Sequence, residues 1–322
     1  MQMQTTLKAS CIILLLAFAM APTTHGQKAL SGDAVIRSPY AGSEIVITTT
    51  SRLAGAVHSV KWNGQEFIDS HDHGRQLQSA SNFDAGSRFT GETFNPTEAG
   101  SRFDGAGKTS TSRLLHLIAS GNKLQSTSQM AFWLRPGDKS SGNPAKNNTR
   151  LSNHLLTKRI VIGHDRFPNV IQYDVTFSLP VDERHTYAQF EALTGYMPPI
   201  FSDFFTIELS TGNLTTLSDG PGEQSLPIVF STRSGSHAMG IYSPQQPSPQ
   251  FKNAGYGRFR FTPQKVVKWN CVFRVKAPGS GVPPGDYSYR CFAVVGTKAA
   301  VAETMVKLYE VVQNSDATHA VN

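Results

Sequence analysis

The sequence has 322 residues, of which 39% are hydrophobic and only 16% charged, and its 30 Lys and Arg against 23 Asp and Glu give a formal charge of +7. That apolar content supports a core and excludes disorder. A charge fraction well below the roughly 25% of average soluble proteins excludes coiled coils and helical bundles, whose exposed faces need Lys and Glu.

At the start, Lys8 precedes the apolar run Cys11-Ile-Ile-Leu-Leu-Leu-Ala-Phe-Ala-Met20, and polar Thr23-Thr24-His25-Gly26 follows. A basic flank, a short apolar segment and small residues at the exit predict a cleaved export signal over 1–26. The run is shorter than the roughly 20 residues of a membrane span, and no later stretch reaches that length. The expectation is a secreted or periplasmic protein whose residues 27–322 form one domain. Cleavage would remove Lys8 and leave +6.

From residue 33 onward, short alternating runs are separated by turn chemistry. Residues 44–50 and 57–62 read as strands, the second entering an Asn63-Gly64 turn and then 65–68. Asn-Gly between alternating runs is a strong hairpin signal. Further strands are expected at 114–119, 130–134, 155–162, 170–179, 187–193, 205–209, 228–231, 238–242, 266–275 and 287–295. The tail, 299–312, fits a strand or a short helix. Many strands without a 20–50-residue repeat predict an all-β fold, a large antiparallel sandwich rather than a propeller.

With Cys11 removed, Cys271 and Cys291 remain, each on a predicted strand, with the turn-rich Ala277–Gly285 between them. In an exported chain this suggests one disulfide, two buried free thiols being the alternative. Two cysteines alone make a poor metal site, so no structural zinc is expected.

One stretch departs from the strand pattern: His71-Asp-His-Gly-Arg-Gln-Leu-Gln78, followed by Phe94-Asn-Pro-Thr-Glu-Ala-Gly100. Its amides and guanidinium suit hydroxyl-rich ligands, because each sugar hydroxyl both donates and accepts. Arg75, Gln76, Gln78 and Asn95 are therefore candidate binding residues, and His71, His73 and Glu98 candidate proton carriers. His71-Asp-His73 also allows a metal, but no third histidine follows at a fitting spacing, and neither metal nor cofactor is expected.

A second segment, Glu183-Arg-His-Thr-Tyr187 continuing to Pro198, puts Tyr187, Gln189 and Glu191 on one strand face and Ala188, Phe190 and Ala192 on the other. The polar row is a solvated face or the floor of a sugar cleft, with Tyr187 and Tyr196 as stacking surfaces. Glu98 and Glu191 would then pair as acid and base.

There is no Gly-x-Ser-x-Gly elbow, phosphate-binding loop or His-Glu-x-x-His motif. The basic residues are scattered, which argues against a nucleic-acid partner.

The motif order resembles the galactose-mutarotase-like β-supersandwich of aldose epimerases and of domains in glycoside hydrolases and polysaccharide lyases. Gly55-Ala-Val-His-Ser-Val-Lys-Trp-Asn-Gly64 is similar to its opening hairpin, and Pro284-Gly-Asp-Tyr287 to the turn before its closing strand. His73-Gly-Arg-Gln76 falls where these proteins place a sugar-binding arginine, which implies that role for Arg75. Glu183-Arg-His-Thr-Tyr187 is similar to the segment bearing the epimerase acid, which implies His185. The late general-base glutamate has no counterpart, because Ile241-Tyr-Ser-Pro-Gln-Gln-Pro247 lacks a carboxylate. The resemblance therefore implies the fold and a saccharide partner rather than epimerase activity.

The leading expectation is a glycoside hydrolase acting on an oligo- or polysaccharide through His71, His73, Glu98, His185 and Glu191. Arg75, Gln76, Gln78, Asn95, Tyr187 and Tyr196 would bind substrate. Elimination from a uronate-containing glycan, or binding without catalysis, are the alternatives.

Overall fold

The computed structural model describes residues 30–319, so the expected export signal lies outside the described residues. The architecture is all-β: nineteen strands in one hydrogen-bonded network, plus a small ribbon, Lys139–Ser140 with Asn143–Pro144.

The pairings resolve this network into two layers. The front layer runs Ala34–Tyr40, Ser43–Thr49, Val57–Trp62, Leu77–Phe83, Tyr187–Met197, Val266–Lys276, Tyr256–Phe261 and Gly222–Gln224. The back layer runs Arg113–Ser120, Lys123–Phe132, Leu151–His164, Phe167–Leu179, Gly285–Gly296, Ala238–Tyr242, Ile228–Ser231, Asp203–Ile207 and Leu214–Thr216. All these pairings are antiparallel. The short Pro96–Thr97 strand joins the layers, with Thr97 opposite both Ala80 in front and Ala131 behind. This is the large antiparallel β-supersandwich that the strand pattern and the resemblance implied.

Alternation fills the space between the layers. Val267, Trp269, Cys271 and Phe273 point inward from the front; Ile171, Tyr173, Val175 and Phe177 point inward from the back. Trp269 is fully buried, its Nε1 donating toward Met197 Sδ at 3.2 Å. Gly195 is its cross-strand partner, and a Cβ there would come within 2.4 Å of the indole. Only glycine lets that ring lie flat against the neighbouring strand.

The chain's tail is a helix, Lys298–His319. Thr297 starts it, its Oγ1 accepting from Ala300 N at 3.2 Å. Val301, Met305 and Leu308, at helical spacing, pack with Val229, Phe292 and Val294 on the outer side of the back layer. Gly240 permits this approach, since a Cβ there would lie 2.3 Å from Met305 Sδ.

Two expectations are corrected. Cys271 and Cys291 are free buried thiols, not a disulfide. They belong to opposite layers, on strands that do not pair with each other, so they face one another across the core. The stretch read as irregular after His71 contains a strand, Leu77–Phe83, every residue of which is buried. Its centre is Ser-Ala-Ser, so burial comes from neighbours on both faces and leaves no apolar alternation to read.

Candidate functional site

The outward face of the front layer carries a recessed polar cluster. Along Tyr187–Met197, Ala188 and Phe190 point into the core, which leaves Tyr187, Gln189 and Glu191 outward, as the alternation predicts. A register shift between Glu191 and Leu193 then changes the phase. Ala192 and Leu193 both enter the core, and Thr194 and Tyr196 join Glu191 on the outer face. The neighbouring strand adds Lys268 opposite Tyr196 and Asn270 opposite Thr194. On the other side Gln78 stands opposite Thr194.

The centre of the cluster is an ion pair. Lys268 Nζ lies 3.2 Å from Glu191 Oε2, and Thr194 Oγ1 donates to the same oxygen at 2.7 Å. The ammonium sits 5.3 Å from the Tyr196 ring centroid and 5.4 Å from that of Phe259, within cation–π range of both. Both charged side chains are only about 15% exposed although their strands face outward.

Burial acts on every member, and the charges then sort them. For Lys268 burial is the largest influence and lowers the pKa, but the charges and hydrogen bonds of Glu191 and Tyr196 together outweigh it, and the ammonium is held well above its usual range. Burial raises the Glu191 carboxyl, yet Lys268 and Thr194 bring it below its ordinary value. The Tyr196 phenol is pushed up by burial, which Lys268 only partly offsets. Gln78 donates to Gly74 O at 3.2 Å, while its buried Oε1 has no hydrogen-bond partner among the described residues.

Toward one end of this face Tyr187 packs on Phe89, with ring centroids 4.5 Å apart, and its hydroxyl donates to Gln189 at 3.4 Å. Arg274 makes a two-pronged pair with Glu223 at 2.7 and 2.9 Å.

The other expected residues lie elsewhere. Glu98 is 1% exposed between the layers, ion-paired with Lys158 and accepting from Ser79 N at 3.0 Å. The front layer separates it from Glu191, so the expected carboxylate pair does not form. His73 is buried with both ring nitrogens on carbonyl oxygens, Gly105 at 2.7 Å and Arg52 at 2.9 Å, leaving neither for a substrate. His71 is exposed. Arg75 is engaged by Asp72 at 2.9 Å and Asp69 at 3.6 Å. Gln76 is buried and donates to Asp72 O; Asn95 donates to Ser81 O at 2.5 Å. His185 is turned inward against Phe83, with centroids 4.5 Å apart.

Lys268, Thr194, Asn270 and Phe259 were missed by sequence reasoning. Lys268 had a readable signal: a cation alternating with the apolar positions of a strand, Val-Lys-Trp-Asn-Cys. Which strand it would adjoin was not readable.

No protein-family model matches the chain, and no curated protein matches it. Among solved structures, the chain is similar to an Escherichia coli protein provisionally assigned as an aldose 1-epimerase. The two share 6% identity over 82% of this chain and 99% of that one, with a TM-score of 0.44. An alpha-galactosidase from Lactobacillus brevis aligns at 9% identity and a TM-score of 0.42 over 84% of this chain and 40% of that one. An alpha-mannosidase from Enterococcus faecalis aligns at 12% identity and a TM-score of 0.44, over 81% of this chain and 30% of that one. No helix among the described residues is long and apolar enough to cross a membrane.

Proposed function

We propose that the outward face of the front layer is a saccharide site and that the protein is an exported enzyme acting there on an acidic glycan. The observation that carries this reading is the recessed Lys268–Glu191 pair between two aromatic rings, beside the Gln78 amide oxygen, which has no partner among the described residues. Aromatic faces, amides and a fixed cation are what a uronate-bearing sugar needs: ring stacking, paired hydroxyls and a countercharge. Export rests on the Lys8 and 11–20 pattern.

Hydrolysis was the leading sequence reading, but it calls for two carboxylates flanking one bond. Glu98 stands behind the sheet, which weakens that route. Elimination fits the cluster better. Lys268 would take the uronate carboxylate, which relaxes its hold on Glu191 and raises that group toward a usable base. Glu191 would accept the proton beside the carboxylate, and Tyr196 would give its phenolic proton to the departing glycosidic oxygen. The electrons of the broken C–H bond form the new C=C bond as the C–O bond breaks, so the products are a reducing end and an unsaturated uronate.

A second reading, retention without turnover, is favoured by the Lys268 and Thr194 contacts, which hold the Glu191 carboxyl below its ordinary pKa and make it a weak base. The test is a glycan panel assayed for reducing ends and for ultraviolet absorbance of unsaturated product. Both signals together support elimination. Reducing ends alone mean hydrolysis. Retention on acidic glycans with neither signal means binding only, and no retention anywhere overturns the saccharide site.

A further inference from the structure

Away from that face, at one end of the sandwich, His154, Glu183 and His185 place their ligand atoms within 4.8 Å of one another. His154 points between the layers from the Leu151–His164 strand of the back layer. Glu183 and His185 come from the turn that enters the Tyr187–Met197 strand of the front layer.

We propose that these three side chains form a binding site for a divalent transition-metal cation of the zinc class. Two imidazoles and one carboxylate are the borderline donor set that such ions select. The donors converge: His154 Nε2 and His185 Nε2 both meet Glu183 Oε2, at 2.7 and 3.0 Å. Tetrahedral bonds of about 2.0–2.2 Å set ligand atoms about 3.3–3.6 Å apart, so Glu183 must draw back from both imidazoles by roughly half an ångström. Glu183 is the member able to withdraw, because its side chain is 22% exposed while the histidines are 2% and 3% exposed. That same exposure gives the ion an entry path and leaves a fourth position for water.

A second observation points the same way. His185 Nδ1 is buried and has no hydrogen-bond partner among the described residues. Its nearest acidic atom is Asp84 Oδ1, at 3.7 Å. An imidazole that ligates through Nε2 carries its proton on Nδ1, and metal-bound histidines commonly give that proton to a carboxylate. A small rotation of the ring would complete this bond. Asp84 is fixed for the purpose, accepting from Thr186 N at 3.0 Å and Thr186 Oγ1 at 2.5 Å. Phe83 packs on both imidazoles, with centroids 4.9 and 4.5 Å away, which limits other rotamers. A bound ion would tie the back layer to the front one through side chains.

The test uses the untagged full chain, stripped with chelator and titrated with Zn²⁺ by calorimetry, with Co²⁺ absorption as a geometric readout. One Zn²⁺ per chain, visible bands of tetrahedral Co²⁺ and a raised thermal midpoint are expected. Glu183→Gln and His154→Gln should each weaken binding at least tenfold, and Asp84→Asn should weaken it about tenfold at unchanged stoichiometry. No saturable binding, or Zn²⁺ affinity unchanged in Glu183→Gln, overturns the proposal. Glu183→Gln decides the matter if the more buried His154→Gln fails to fold, with circular dichroism as the control.

Discussion

Thr194 Oγ1 donates to Glu191 Oε2 at 2.7 Å, although the two residues stand three apart on one strand, a spacing that ordinarily puts side chains on opposite faces. The extra residue between Glu191 and Leu193 makes the contact possible by turning two consecutive side chains inward. Everything distinctive about the outward cluster follows from that one-residue change of phase, including the arrival of Tyr196 beside Lys268.

Lys268→Met should therefore remove the countercharge without disturbing the aromatic walls. Retention of an acidic glycan is expected to fall at least tenfold, with neutral glycans little changed, as read by affinity electrophoresis. Equal losses for both classes would sink the assignment of Lys268 to the acid group. Tyr196→Phe should lower kcat far more than it raises KM if the phenol is the proton donor.

The same pair predicts a pH profile for stability. The Glu191 carboxyl is depressed in the folded state, so its contribution is present above the unfolded value near 4.5 and is lost as pH falls through the folded one. Lys268 is raised, so its contribution is present below about 10.5 and is lost as pH climbs through the folded value. The difference in Tm between the wild type and Glu191→Gln should be flat between these limits and shrink on acidification. An unchanged difference at low pH would show that Glu191 is not held by charge.

The interior pair is expected to behave differently. Glu98 and Lys158 are both nearly inaccessible, so Lys158→Met leaves a buried carboxylate uncompensated. Breaking such a pair costs about 3–5 kcal/mol, while replacing both partners by apolar residues of similar size is often neutral. Urea unfolding of Lys158→Met, Glu98→Gln and the Met/Leu double variant checks this. A double variant no better than the singles would contradict a simple ion-pair account.

Gly195→Ala should destabilise by about 1–3 kcal/mol through overpacking, because the added Cβ must displace the Trp269 ring. Near-ultraviolet circular dichroism should report the moved indole. A variant with wild-type spectrum and stability would mean that the neighbouring strand shifts freely.

Cys271 and Cys291 should resist a thiol reagent in the native protein and both react once it is unfolded, since each is fully buried and free. Only one reactive thiol, or none, in denaturant would reveal a covalent link.

The sequence was most readable where one face of a strand meets the core and the other meets water. Val57–Trp62 and the first half of Tyr187–Met197 alternate in that way, and their strands stand where the pattern put them. It was least readable where burial is two-sided, as in Leu77–Phe83, because Gln78, Ser79, Ser81 and Asn82 are buried with the apolar residues and no alternation marks a face. The tail was ambiguous as text, and only the packing of Val301, Met305 and Leu308 on the back layer makes it a helix. Of the proposed site, Tyr187, Glu191 and Tyr196 were named from alternation and aromatic character, and Gln78 from its amide. Glu98 looked like a catalytic carboxylate because its partner, Lys158, is sixty residues away on a strand that gives no hint of an inward ammonium. The bulge that collects the cluster has no sequence signature in Glu-Ala-Leu-Thr.

The Pro96–Thr97 crossover has a mechanical meaning. Because main-chain bonds run through it from Ala80 to Ala131, the two layers cannot hinge apart or slide without breaking the ladder at that seam. If the front face holds saccharides as proposed, ligands of different girth would be accommodated at the rim, where the chain between Phe83 and Pro96 rests on the sheet through contacts such as Phe89 on Tyr187. On the proposed reading, the floor of the saccharide face would be fixed by the seam and only its edge left to adjust.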